Sequence, residues 1–241
     1  MQPIEYDIKA IKQNTSECMQ TAATQLISYY EPSITVQEVL TEVPIYIDEN
    51  GDKIGTSPGH LASFFAARGY KTTTHIFDVE LFDITWSGLL DHEIVENLTK
   101  RQEHIPANSW LAKYHHILVE GWKLYVQQGG TFSFPQLSSK LLYDLLLAGP
   151  VLMMVNSTYL NRTSKQLYSK ETDKFVKDSI RGRSLTHAVT AAGYKDGKFL
   201  IIDPDPPEGI EQHRWIEGDH ILASIMAAQT ESDNFVISVS K

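Results

Sequence analysis

Apolar runs of strand length gather in the later part of the chain, at Val151 to Val155, Ala188 to Tyr194, Phe199 to Asp203 and Phe235 to Val239. Ahead of them the apolar residues fall at helical spacing instead. After Ser16, read as an N-cap, the residues Met19, Ala22, Ala23, Leu26, Ile27 and Tyr30 form the i, i+3, i+4, i+7 stripe of a helix packed on one face, which puts Cys18 in its first turn. Val36, Val39, Leu40 and Val43 suggest a second helix, and a third begins at Ser57-Pro58, turns Leu61, Phe64 and Phe65 inward and stops at Gly69. Leu137 to Leu147 resumes a helical stripe, and Gly149-Pro150 ends it. From Thr72 to about Phe134 short apolar runs carry no steady period, and that stretch reads as mixed. Helices first and strands afterwards predict an α+β fold with an N-terminal helical half packed on a C-terminal antiparallel sheet. One domain over residues 1–241 is expected, helical to about 147 and sheet from about 150.

Composition narrows the function. A hydrophobic fraction of 42% with 21% charged residues is that of an ordinary globular protein. Lys and Arg total 21 against 30 for Asp and Glu, and a net charge of −9 argues against nucleic acid or anionic membrane as the main partner. Met1 to Gln13 has no uninterrupted apolar core of the secretory kind, and no later stretch reaches the roughly 18 apolar residues of a membrane helix. The chain holds 1 cysteine, so no intrachain disulfide forms and a reducing, cytoplasmic setting is expected.

A lone cysteine is a small buried hydrophobe unless its surroundings ionise it. A helix N-terminus or a neighbouring imidazolium lowers a thiol's pKa to roughly 3.5–7.5, and Cys18 meets the first condition if the Ser16 cap is real. His187 and Asp203 meet the second through a hairpin. A three-residue loop at Lys195-Asp196-Gly197 pairs Tyr194 with Lys198 and sets Asp203 opposite Val189, on the face that carries His187. A two-residue loop at Asp196-Gly197 puts the two side chains on opposite faces. A carboxylate bonded to one ring nitrogen fixes the imidazole and leaves the other nitrogen for the thiol. Each residue has a plain alternative: His187 as a core histidine, Asp203 as the start of an Asp-Pro turn. Gln13, five residues before Cys18, offers an amide to an oxyanion beside the Cys18 N–H.

Gln13, Asn14-Thr15-Ser16-Glu17 and Cys18 opening a helix with Ala22 resemble the oxyanion-Gln and nucleophile-Cys segment of the papain-like peptidases that cut bacteriocin leader peptides after a double glycine. His187-Ala-Val-Thr-Ala-Ala-Gly-Tyr194 and Phe199-Leu-Ile-Ile-Asp203-Pro204 are similar to that family's His strand and Asp-Pro strand, and Gly149-Pro150-Val151-Leu152 resembles the strand entry before the His. The resemblance implies a papain-like fold and a cysteine peptidase with Cys18 as nucleophile, His187 as base, Asp203 as its orienter and Gln13 as oxyanion donor. It implies a peptide or protein substrate, with a leader peptide as one candidate. Two departures stand out. Met19 occupies the position after the nucleophile where the family often has Gly, which narrows the site or changes the substrate that fits. The chain has neither a spanning segment nor a Gly-x-x-x-x-Gly-Lys-Ser/Thr loop and so resembles the free-standing, leader-peptidase-like members, which puts double-glycine specificity in question.

The same triad serves an acyltransferase or amide ligase if an amine takes the acyl group, and a peptide-binding module if turnover has been lost. No cofactor is expected, since His60, His75, His92, His104 and His115-His116 show no metal-ligand spacing and are read as surface or structural residues. The polar stretch Asn161 to Ser184 reads as a surface excursion or a flap, in which Arg181 and Arg183 offer cations to an acidic substrate group.

Overall fold

The structure, a computed structural model, describes residues 1–14, 16–47, 51, 53–106, 110–169, 171–172, 174–228 and 234–241. In chain order the elements are β1 (Ile4–Glu5), α1 (Cys18–Ser28), α2 (Val36–Glu42), β2 (Tyr46–Ile47), β3 (Lys53–Gly55), α3 (Pro58–Ala67), β4 (Lys71–Ile76), α4 (Asp91–Arg101), α5 (Trp110–Gln127) and β5 (Thr131–Ser133). There follow α6 (Ser139–Leu146), β6 (Val151–Asn156), α7 (Ser157–Asn161), β7 (Gln166–Ser169), β8 (Lys174–Lys177), β9 (Thr186–Lys195), β10 (Lys198–Ile202), β11 (His213–Glu217), α8 (Gly218–Met226) and β12 (Phe235–Ser240). The fold is α+β around one large sheet.

That sheet runs β11-β10-β9-β6-β12-β4-β5, with β1 pairing the far end of β9. It differs from the expected C-terminal antiparallel sheet in two ways. Strands β1, β4 and β5 come from the first part of the chain, so the division at about residue 150 does not separate helix from sheet. The edge pair β4–β5 is also parallel, making the sheet mixed. The strand β4 was obscured in sequence because Thr72, Thr74 and His75 take its buried positions.

Both faces of the sheet are covered, which is why β6 is apolar from Val151 to Val155 and every one of its residues is buried. Alternate residues along each strand point to opposite faces. Leu152, Met154, Ala188, Ile237 and Val239 share a core with α1, α3 and α5, whereas Val151, Met153, Val155, Val189, Ala191 and Val236 pack with α6 and α8. Helix α1 is enclosed: Met19 to Ile27 are all buried. Its polar residues are partly satisfied by fixed partners, Gln20 donating to the Val43 carbonyl at 2.9 Å and Gln25 to the Ile11 carbonyl at 3.1 Å. The burial of α1 against β9 aims its N-terminus at a defined place on the sheet.

The stretch without a steady period holds the longest helix among the described residues. In α5, Leu111, His115, Leu118, Val119, Trp122 and Tyr125 follow the helical period and are buried. His115 occupies a core position with neither ring nitrogen bonded, and burial lowers its pKa. It and His75 are interior rather than surface residues. Helix α5 crosses α3 at two glycines: a Cβ on Gly59 would lie 2.4 Å from the Gly121 carbonyl carbon. No helix among the described residues is long and apolar enough to cross a membrane.

Candidate active site

Cys18 is the first residue of α1. The cap differs from the sequence reading, since Glu17 stands at the N-cap and makes no side-chain cap bond, while Ser16 adopts a left-handed φ of 67°. Thr15 lies outside the described residues. At this helix start the backbone N–H groups of Met19 and of Ala188 on β9 act to lower the pKa of the thiol. Met19 itself is 5% exposed and belongs to the core, so its side chain does not narrow the site.

His187 follows the first residue of β9, and its Nε2 lies 2.8 Å from Oδ1 of Asp203. With Nε2 committed to the carboxylate, Nδ1 is the nitrogen left to act on the Cys18 thiol, whose pKa the ring lowers. The hairpin reaches this geometry by a route other than the expected one. Lys198 pairs with Lys195 across a two-residue turn, Asp196 and Gly197 having φ of 51° and 83°, the left-handed pair of a type I′ turn. On that register alone Asp203 would face away from His187. The register slips by one residue between Leu200 and Ile201, so that Leu200 pairs with Gly193 but Ile201 with Ala191. A bulge at Ala192 thus restores the phase that a three-residue loop would have set.

Asp203 is fully buried yet held as a carboxylate. Burial pushes its pKa up, but the charge and hydrogen bond of His187, the Asp205 N–H at 3.0 Å and the Arg214 guanidinium at 2.9 Å from Oδ2 outweigh it, and the pKa falls below the usual carboxylate value. The same balance acts on its partners. Burial alone would lower the pKa of His187, and Asp203 and Cys18 together raise it to about 10. Burial alone would raise the pKa of Cys18, and the hydrogen bond and charge of His187 with the two N–H groups lower it. A thiolate–imidazolium pair is the state this arrangement favours. Cys18 is partly buried.

Gln13 sits at the edge of this cluster. Its N–H donates to the Pro204 carbonyl at 3.0 Å, and its side-chain Nε2 lies 3.4 Å from Oδ2 of Asp205. Two residues of the cluster, Arg214 and Gln212, carry no signal in the sequence analysis. Arg214 lies on β11 opposite Ile201 and also donates to the Asn161 side chain. Gln212 donates to the carbonyls of Ile11 at 3.2 Å and Asp203 at 3.3 Å, tying the Gln13 segment to the Asp203 turn. Burial alternates along His213-Arg214-Trp215-Ile216-Glu217 with Arg214 on the inward side, but the residue types do not alternate with it. Of the two excursion cations, Arg181 is taken up by Asp178 at 2.7 Å. The excursion itself forms the hairpin β7–β8. Among the described residues no group of three or more His, Cys, Asp and Glu could hold a metal ion.

No family model matches the chain. No curated protein sequence matches it. Among solved structures, a protein described as C39-like peptidase, from Bacillus anthracis, aligns over 100% of this chain and 98% of its own at 11% identity and a TM-score of 0.48. A likeness of that size carries no conclusion about fold or function.

Proposed function

We propose that the chain is a cysteine peptidase of papain-like arrangement that hydrolyses an amide bond in a peptide or protein substrate. The observation that carries the reading is one arrangement: a thiol at the start of a buried helix, its pKa lowered by a histidine whose Nε2 is anchored 2.8 Å from a buried carboxylate. In this reading the Cys18 thiolate attacks the carbonyl carbon, and the oxyanion is held by the Gln13 amide and a backbone N–H. The imidazolium of His187 then protonates the leaving amine as the C–N bond breaks, giving a thioester and a neutral ring. The ring next removes a proton from water, whose oxygen attacks the thioester, and collapse returns the sulfur with a carboxylic acid product. Asp203 holds one tautomer and one ring orientation throughout. A reducing cytoplasm, where a single thiol stays reduced, suits this chemistry.

The test is the rate of Cys18 alkylation by iodoacetamide against pH in the wild type and in His187→Ala. The wild type is expected to titrate below the ordinary thiol value of 9.0, and the variant above the wild type, because burial then acts without its counterweight. A midpoint near that of free cysteine in both proteins sinks the reading.

A further inference from the structure

Beside α7 and α8 lies a cavity of about 530 Å³, a size typical of small-ligand sites. Neither Cys18 nor His187 lines it. One wall is apolar, the Tyr159 and His220 rings stacking at 5.3 Å and 26°. His220 Nε2 donates to the Leu160 carbonyl, and both ends of the Asn156 amide are engaged, accepting from Tyr159 N–H and donating to the Ala227 carbonyl. Among the described residues, the lining groups that remain uncommitted include the Arg162 guanidinium and the hydroxyls of Thr158 and Ser184. A planar cation with two hydroxyl donors over an apolar wall fits a carboxylate.

Two further observations bear on it. Arg162 has φ 49° and ψ 44°, the left-handed position closing α7, where glycine is at ease and any other side chain is strained. The cavity is also linked to the catalytic cluster through neighbours in the chain. Asn156 pairs with Thr186, next to His187, and Ser184 precedes His187 closely enough that an extended peptide spans the gap in about three residues at ~3.3 Å each. Asn161, next to Arg162, is held by the Arg214 that grips Asp203.

We propose that this cavity is a substrate subsite for a carboxylate, supplied by an Asp or Glu side chain or by a peptide's C-terminus. Naming the ligand a substrate rests on the peptidase reading; the binding of a carboxylate does not. In a chain of net charge −9, such a site selects an acidic group locally where the overall field would repel it.

The experiment measures anisotropy of short labelled peptides on the full chain carrying Cys18→Ala. The peptides come in pairs, Asp against Asn at one position in turn, and free against amidated C-terminus, which separates the two sources. The acid member of one pair is expected to bind about 10-fold tighter, with the gap narrowing at high salt. Arg162→Gly should abolish the gap and Arg162→Lys keep part of it. Because glycine relieves the left-handed residue, Arg162→Gly should melt no lower than its parent, so the loss is not unfolding. Equal binding within every pair, no measurable binding by any, or a gap that survives Arg162→Gly overturns the proposal. Turnover of the same pairs by the wild type is read separately. An acid preference in binding without cleavage removes the peptidase reading and leaves the subsite standing.

Discussion

The Arg214 guanidinium lies 2.9 Å from Oδ2 of Asp203, a carboxylate with no solvent exposure. Removing one partner of a buried ion pair strands the other, at a cost of roughly 3–5 kcal/mol. Arg214→Met is therefore expected to lower the urea midpoint markedly. Asp203 has a lowered folded pKa, so its contribution to stability is present above the unfolded value of 3.8 and lost as pH falls through the folded one. Without Arg214 that loss should begin at higher pH. A variant whose midpoint and acid sensitivity match the wild type would show that Asp203 is held by His187 and Asp205 alone.

The pH–rate profile follows from the other two titrating groups. On the acid side kcat/KM should rise as Cys18 ionises, at a pH below the ordinary thiol value of 9.0, since its folded pKa is lowered. On the alkaline side it should fall as His187 loses the proton it owes the leaving amine, near the pH of about 10 to which Asp203 and Cys18 raise it. The two groups share one proton between them, so the limbs belong to the pair. A profile that rises only through the ordinary histidine range, near pH 6.5, would mean a neutral Cys–His pair instead.

What the sequence revealed and what it hid divides along physical lines. The helix of Cys18 was legible because a packed helix leaves a 3.6-residue stripe, and Ser57-Pro58 marks the start of α3 by its own stereochemistry. Helix α5 was hidden by His115, a polar residue at a core position that splits the stripe. Cys18 and His187 meet through contacts far apart in the chain, which no local pattern encodes. The hairpin is the sharpest case. Asp196-Gly197 carries the signature of a two-residue turn, yet the phase at Asp203 is set by a bulge at Ala192, where the sequence has only small residues. Arg214 went unread because its partner, not its position, gives it meaning.

Gln13 separates catalysis from reactivity. If its amide holds the oxyanion, Gln13→Ala should cut kcat on a peptide substrate by roughly 10²–10³ with little change in KM. Alkylation of Cys18 by a small halide develops no oxyanion and should keep its rate and its pH midpoint. Equal loss in both assays would instead assign Gln13 to the architecture of the turn, where its N–H already bonds to Pro204.

The crossing of α3 and α5 tests the fold itself, away from the chemistry. Helix propensity alone makes Gly→Ala stabilising by about 1 kcal/mol in a helix interior. At Gly59 the added methyl meets the Gly121 carbonyl carbon and the Trp122 nitrogen, both at 2.4 Å, and these are backbone atoms that cannot rotate away. Overpacking of that kind costs about 1–3 kcal/mol. Clash should outweigh propensity, and Gly59→Ala is expected to lower the melting temperature by a few degrees, at about 2–4 °C per kcal/mol for a chain of this size. The same change at Gly121 meets Ser57 Oγ at 2.4 Å and the His60 backbone nitrogen at 2.8 Å and should act alike. A rise in melting temperature at either position would mean that the two helices stand farther apart than 2.4 Å contacts allow.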